Sequence, residues 1–168
     1  MKTTWTLEPG HSATGFMVRH MMVSWVRGHF SDIHGKITID GDDFTTVEVE
    51  ATIDATRIDS GLTMRDDHLK NADFLDVKKY PIITFRSTKI EQIGENDYVM
   101  FGDLAIRGIT KNVRLETRYN GEWQTPWWVE KYGQFVNEGP KRRIGFVARG
   151  TINRHDFGIA YPAKPDEL

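Results

Sequence analysis

Apolar and polar residues alternate with a period of two along most of this chain. The clearest runs lie at 47–55, 113–123 and 144–152, where nearly every second side chain is apolar. Because successive side chains of a strand point to opposite faces, this pattern predicts antiparallel strands with one buried face each. Similar but less regular runs lie at 14–19, 25–30, 33–40, 82–90 and 98–107.

Short segments rich in Gly, Pro, Asn and Asp separate these runs, at 8–10, 40–43, 94–97 and 120–121. Seven or eight strands joined mostly by such turns predict an all-β fold, either a barrel of about eight strands or a two-sheet sandwich. Glycines within the predicted strands favour the barrel, because they allow the sharp bends of a small barrel wall. These glycines are Gly15, Gly28, Gly35, Gly102, Gly145 and Gly150.

Two segments do not alternate. Charged and apolar residues are mixed irregularly over 60–80, which predicts one or two short helices that end before Pro81. Residues 125–143 carry Trp127 and Trp128 and predict a long connection of the kind that often forms a lid. Since no repeat or linker interrupts the chain, residues 1–168 are expected to form a single domain.

Composition narrows the function classes. The 168 residues include 22 basic and 24 acidic side chains, a formal charge of -2. That balance argues against a general nucleic-acid binder and against a polybasic membrane anchor. Cysteine is absent, which excludes disulfides, thiol catalysis and thiolate metal sites. No signal peptide is recognisable, so we expect a cytoplasmic location for the chain as written, or a periplasmic or secreted one if it is a processed form.

Catalytic and metal-binding patterns are weak. Strand parity points His29 and His34 outward, and the sequence has no His pair at metal-ligand spacing. Ser12 does not lie in a GxSxG elbow. The carboxylate pairs at 42–43 and 66–67 lie in polar, turn-like contexts that predict ordinary ionisation. We therefore expect no catalytic residues and no metal site.

The alternation assigns an apolar inward face to the predicted barrel. An eight-stranded barrel encloses either packed side chains or one small ligand, so this face is either core or the lining of a cavity. Its members are Phe16, Val18, Val26, Phe30, Phe85, Met100, Leu104, Ile106, Leu115 and Phe146.

Two cations interrupt this face. Parity places His20 and Arg154 inward at strand ends, where they reach a barrel mouth. A cation at the rim of an apolar channel suits an amphiphile with a phosphate or carboxyl head group. The alternative is an ion pair, for example of Arg154 with Asp66 or Asp156.

Four segments resemble the YceI-like family of polyisoprenoid-binding, lipocalin-like proteins. The resemblance implies an antiparallel lipocalin-like barrel with a helical cap and an apolar tunnel for an isoprenoid or other long-chain lipid. It also implies no catalytic activity, no cofactor other than the bound lipid, a homodimer, and transient membrane contact for loading. The segments are HSATGFMVRHMMVSWVRGHF (11–30), RDDHLKNADFLDVKKYPIITFRST (65–88), GDLAIRGITKNV (102–113) and GTINRHDFGI (150–159).

On this resemblance the inward apolar side chains line the tunnel, and Leu62, Leu69 and Phe74 of the cap roof it. His20, Arg65 and Arg154 are then the candidate ligands of the head group. The alternatives are a structural or stress-related interaction protein with a filled core, and a hydrolase that acts on a lipid. The chain departs from the family pattern in its long 125–143 segment and in lacking a final alternating strand after residue 159.

Overall fold

The computed structural model describes residues 1–161, which fold mainly into antiparallel strands. Its one α-helix within that range is α1 (Thr63–Lys70), and short 3₁₀ helices lie at Pro9–His11, Ala55–Arg57 and Arg154–Phe157. The strands are β1 (Lys2–Thr6), β2 (Thr14–His20), β3 (Ser24–Phe30), β4 (Ile33–Asp40), β5 (Asp43–Asp54), β6 (Ile58–Asp59), β7 (Ile82–Gln92), β8 (Asp97–Ile106), β9 (Ile109–Lys131) and β10 (Gln134–Arg149).

The strands form two sheets. Seven of them follow the order β1-β4-β5-β7-β8-β9-β10, and the other three form the small sheet β2-β3-β6. Side chains connect the two edges of the large sheet: the Arg142 guanidinium lies 5.1 Å from the ring centroid of Trp5, and Arg143 pairs with Glu8 at 2.5 Å. The prediction of an antiparallel all-β fold with a short helical segment is confirmed.

The register places isoleucines next to one another across one end of the large sheet. Ile53 lies opposite Ile33 on one side and Ile83 on the other, and Ile106 lies opposite Ile109. Residues directly opposite in an antiparallel pair share a face, so this row presents one apolar surface. We term this end of the molecule the base.

The main hydrophobic core covers the base. Phe30 and Ile58 reach it from the small sheet, Leu75 and Val77 from the segment after α1, and Phe157 from the last 3₁₀ helix. Phe157 is only 1% exposed. The two sheets therefore share their core at the base.

The segment 125–143 is not the predicted loop. It continues β9 and β10 as a long two-stranded ribbon, which we term the arm (residues 121–145). Pro126 lies directly opposite Pro140. Beyond Arg118, β9 pairs with β10 but no longer with β8. A proline, which lacks an N–H, therefore breaks no hydrogen bond of the ladder when its nitrogen lies on the outer edge of this ribbon. The two prolines are therefore compatible with paired strands.

The helical prediction for 60–80 is confirmed for 63–70 only. Backbone bonds fold the rest into turns, for example from Leu75 N to Leu69 O at 3.0 Å and from Tyr80 N to Asp76 O at 2.8 Å. These turns place Leu75 and Val77 in the core. The segment therefore packs as a cap over the base.

Candidate functional site

Above the base, the inner surface of the large sheet is apolar and only partly covered. Phe85 lies opposite Ala51 on one side and Leu104 on the other, and all three side chains are half-buried. Further along the sheet, the buried Met100 faces the half-buried Leu115. We term this surface the inner face. It is continuous with the isoleucine row but is not sealed by the core.

The ring of Phe85 lies flat along the inner face. A Cβ built on Gly102 would stand 2.3 Å from Phe85 Cζ, so the ring occupies the space that a side chain at 102 would need. An aromatic ring over a strand glycine covers the backbone beneath it. The largest side chain of this region therefore runs along the sheet.

Four aromatic rings close the end of the inner face farthest from the base. Phe44 lies 4.5 Å from Tyr119 and 5.9 Å from both Tyr98 and Phe146, measured between ring centroids. Burial raises the pKa of Tyr119, and the nearby Glu122 adds to the effect. Tyr98 and Ile106 lie at opposite ends of β8, so the inner face is about 26 Å long at ~3.3 Å per residue.

One buried hydroxyl in this region has no hydrogen-bond partner. Thr117 lies opposite Tyr98, and its Oγ1 is inaccessible to solvent and makes no hydrogen bond. Buried polar atoms are usually paired. Thr117 was not among the predicted site residues, because a single threonine in an alternating strand carries no distinguishing signal.

The small sheet contributes four of the predicted lining residues. Phe30 is buried at the base and Phe16 is half-buried beside it, with ring centroids 5.7 Å apart. Val18 and Val26 lie opposite each other farther out, and Val18 is 46% exposed. Burial thus decreases from the base toward the β2–β3 turn.

The cap residues predicted as a roof divide into two groups. Leu69 and Phe74 are half-buried and pack against the core at the base. Leu62, which precedes α1, is exposed. Ile106 also belongs to the core, whereas the half-buried Phe146 lies in the aromatic cluster at the other end.

The two predicted arginines lie at the base and already have partners. Arg65 donates from Nε to Ser60 Oγ at 2.7 Å and from Nη2 to Ser60 O at 2.6 Å. Arg154 donates from Nη1 to the Tyr161 carbonyl at 2.5 Å. Arg154 does not form the ion pair with Asp66 or Asp156 that was considered as an alternative.

The placement of Arg154 at a strand end was wrong. β10 ends at Arg149, and Asn153 begins a 3₁₀ helix by accepting a bond from His155 N at 3.0 Å. Gly158, with φ +70°, ends that helix. An Asn cap followed by a glycine five residues later is a helix signal that parity alone overlooks.

His20 is separated from both arginines. Thr14 lies opposite Phe30, which lies opposite Ile58 at the base, whereas His20 is six residues farther along β2. At ~3.3 Å per residue that is about 20 Å. A single small head group therefore does not contact His20 together with Arg65 or Arg154.

The expectation that the pair 66–67 is solvated was wrong for Asp66. Asp66 is only 9% exposed, and its carboxylate accepts bonds from Ser60 N, at 2.8 Å, and from Ser60 Oγ. Ser60 therefore connects Asp66 to Arg65 and fixes the start of α1. Asp67 is exposed, as expected.

Two solvent-open depressions lie near the inner face and the cap. One, of about 580 Å³, is lined by Ala51 and Phe85 of the inner face together with the charged Lys36, Glu50 and Arg86, which alternate with them along the strands. The other, of about 390 Å³, lies beside α1. The first depression therefore reaches the inner face, where we place the candidate site.

Two further observations bear on the chemistry. Across residues 1–161, no cluster of three or more His, Asp or Glu side chains is placed to hold a metal ion. Over the same range no helix is both long and apolar enough to span a membrane.

Comparison with known proteins identifies the family. A family model described as the YceI-like domain matches residues 5–167. The chain belongs to the YceI-like family. The resemblance read from its four sequence segments is therefore confirmed.

Relatives of known sequence and structure agree with this assignment. Protein YceI of Escherichia coli O6:H1 (strain CFT073) is 38% identical over 152 residues, covering 90% of this chain and 73% of the relative. A UPF0312 protein of Pectobacterium carotovorum is 35% identical over 158 residues, covering 94% and 76%. The crystal structure of the Campylobacter jejuni YCEI protein matches with a TM-score of 0.69 and 30% identity, covering 98% of this chain and 89% of that one.

Proposed function

We propose that this YceI-like protein binds one long-chain isoprenoid or related amphiphilic lipid on its inner face, without catalysing a reaction. The observation that carries the proposal is the incomplete covering of that face. The rows around Phe85 and Leu115 remain half-buried, whereas Ile53, Ile83 and Ile106 at the base are buried in the core. Apolar surface in this position gains free energy when a hydrocarbon chain covers it.

The energetics of such a ligand are favourable. A chain of about forty carbons at ~0.3 kcal/mol per heavy atom gives roughly 12 kcal/mol, which corresponds to nanomolar affinity. The hydrocarbon tail alone is therefore sufficient to hold the ligand. The polar groups at its end then select the head group rather than supply the affinity.

We propose an orientation with the tail toward the base and the head toward the open end near His20. The base is filled by side chains, and the donors of Arg65 and Arg154 named above serve the Ser60 and Tyr161 backbones. Arg65 and Arg154 would contact the head group only in the reverse orientation. The tail would contact the inward side chains predicted from the sequence, except Phe30 and Ile106, which are already buried in the core at the base. Leu69 and Phe74 would lie below the tail, and the exposed Leu62 would lie outside the contact.

The absence of catalysis is part of the proposal. Asp66, the one buried charged side chain described, is bonded to Ser60 and lies in the cap. His20 is exposed at the end of β2 and forms no ion pair with a carboxylate among residues 1–161. Profiling with ester, phosphate and glycoside substrates tests this, and turnover that depends on His20 would support the lipid hydrolase.

The homodimer and the cellular location remain predictions. Light scattering over a range of protein concentrations tests the homodimer. Fractionation of cells that express the protein from its native gene tests the location.

The central experiment combines extraction with uptake. Protein purified without detergent is extracted with organic solvent, and the extract is analysed by mass spectrometry. Lipid-free protein is then titrated with a fluorescent prenyl chain added from ethanol. We expect one prenyl or other long-chain lipid per chain, and saturable uptake of the probe.

A matched pair of variants ties uptake to the inner face. Leu115→Trp fills space on the inner face, and Arg114→Trp adds the same side chain one residue away on the exposed side. We expect Leu115→Trp to abolish uptake and Arg114→Trp to preserve it, with circular dichroism confirming the fold of both. If extraction yields no stoichiometric lipid and the wild-type chain takes up no probe, the protein is not a lipid binder.

A further inference from the structure

The turn between β2 and β3 exposes a compact group of apolar side chains. Met21, Met22 and Val23 are 59%, 74% and 86% exposed, and Trp25 beside them is 51% exposed. We term residues 17–27 the hairpin tip. Large exposed apolar patches on soluble domains mark contact sites for other molecules or for membranes.

The backbone of the turn holds two methionines in an unfavourable conformation. Met21 and Met22 have φ of +48° and +59°, and the His20 carbonyl accepts a bond from Val23 N at 3.1 Å. This is the geometry of a type I′ turn, which Asn-Gly adopts readily and other side chains disfavour. The methionines therefore do not stabilise the turn, and their exposure indicates a role in contact with another molecule.

The hairpin tip differs from the rest of the chain in charge. No aspartate or glutamate occurs between Glu8 and Asp32, although the whole chain has 24 acidic residues and a formal charge of -2. The charged side chains of the tip are Arg19 and Arg27. The Arg19 guanidinium lies 5.2 Å from the Trp25 ring centroid and donates to the Met22 carbonyl at 2.9 Å, so its charge is held beside the apolar group.

We propose that the hairpin tip docks on a lipid bilayer that bears anionic head groups. Met21, Met22 and Val23 enter the boundary between head groups and acyl chains, and Trp25 lies at the interface, where tryptophan is favoured. Arg19 and Arg27 remain at the level of the lipid phosphates, which attract juxtamembrane cations. This inference rests on the proposed function, because a protein that carries a water-insoluble lipid must exchange that lipid with a membrane.

The arm provides the internal comparison. It also exposes aromatic side chains, at Tyr132 and Phe135. However, it has acidic residues among them, and Glu138 pairs with Lys131 at 2.6 Å. The arm has three acidic and four basic side chains, so its charges nearly balance around the exposed aromatics, whereas the hairpin tip has two arginines and no acidic residue. We therefore assign no docking role to the arm.

The test is flotation of the full chain with vesicles that contain no isoprenoid. One set is phosphatidylcholine alone, and the other is equimolar phosphatidylcholine and phosphatidylglycerol. We expect the wild-type chain to float with the anionic set. Arg19→Gln combined with Arg27→Gln should weaken that binding about fivefold per arginine removed.

The decisive variant is Met21→Asn combined with Met22→Gly. It supplies the preferred residues of the same type I′ turn, so the fold should be at least as stable as that of the wild type. Its affinity for the anionic vesicles should fall at least about tenfold, because two apolar side chains no longer enter the bilayer. Tyr132→Ser combined with Phe135→Ser in the arm should leave vesicle binding unchanged.

The proposal would be overturned if the Asn-Gly variant bound vesicles as well as the wild type, or if the arm variant lost as much binding as the Asn-Gly variant. It would also be overturned if the wild type formed a dimer and bound no vesicles, and the Asn-Gly variant abolished that dimer. Prenyl probe delivered from ethanol separates this proposal from lipid binding itself. Normal uptake without flotation rejects the docking surface alone, and flotation without uptake rejects lipid binding alone.

Discussion

The ring of Phe16 lies against the backbone of Gly28, its direct partner across β2 and β3. A Cβ built on Gly28 would stand 2.3 Å from Phe16 Cζ and 2.8 Å from the Asp59 carbonyl oxygen. Glycine at 28 thus lets the ring rest on the strand while β6 approaches from the other side. This contact joins the small sheet to the core at the base, where Phe16 and Phe30 meet.

Gly28→Ala should destabilise the fold by about 1–3 kcal/mol, the usual range for overpacking a well-filled site. Gly15→Ala is the matched control in the same hairpin, because its Cβ would meet only the Gly28 carbonyl oxygen, at 3.6 Å. Urea unfolding of both variants measures the difference. Equal free energies of unfolding for the two variants would contradict the packing described.

Asp66→Ala should cost about 1–3 kcal/mol, because the substitution leaves the Ser60 N–H without its acceptor in a largely buried position. The neighbouring Asp67→Ala removes an exposed carboxylate and should change the free energy of unfolding little. Denaturant titration compares them. A similar effect of the two substitutions would mean that the Asp66 bonds do not stabilise the cap.

Phe157→Ala should be among the most destabilising single changes, at about 3–5 kcal/mol, because it opens a cavity at the base where this side chain is fully buried. Phe135→Ala in the arm removes the same atoms from an exposed position and should cost far less. Thermal unfolding followed by circular dichroism checks both. Equal melting temperatures would show that the last 3₁₀ helix does not close the core.

The arm should become less stable at acidic pH. Arg142 donates to Glu122 at 2.6 and 2.8 Å, which lowers the pKa of that carboxyl below its ordinary 4.5, and the Lys131 ammonium lowers the pKa of Glu138 likewise. A lowered folded-state pKa means that these pairs stabilise the arm above the ordinary carboxyl pKa. Their contribution is lost as the pH falls through the folded-state values.

Tryptophan emission reports this change, because the Trp127 ring centroid lies 4.6 Å from the Lys141 ammonium and 4.8 Å from the Arg143 guanidinium. We expect an emission change below about pH 4.5 that precedes global unfolding. The variant Glu122→Gln combined with Glu138→Gln should lack it. Persistence of the same transition in that variant would assign the change to other groups.

Much of the fold was predictable because period two is a local property. The alternating runs at 47–55, 82–90 and 98–107 form β5, β7 and β8, and every second residue, including Ile53, Ile83 and Met100, faces the interior as the alternation predicts. The four family-like segments also led directly to the YceI-like family. The predicted position of Arg154 was wrong because β10 ends at Arg149, whereas the alternation had been extended to residue 154.

The sequence by itself determined the antiparallel class, the position of the cap and the apolar character of the inner face, since each follows from the spacing of neighbouring residues. Only the tertiary structure decided that Pro126 pairs with Pro140 in an arm, that Asp66 is buried against Ser60, and that His20 and the two arginines lie at opposite ends. Those facts depend on register and on contacts between residues far apart in sequence, which no local pattern encodes.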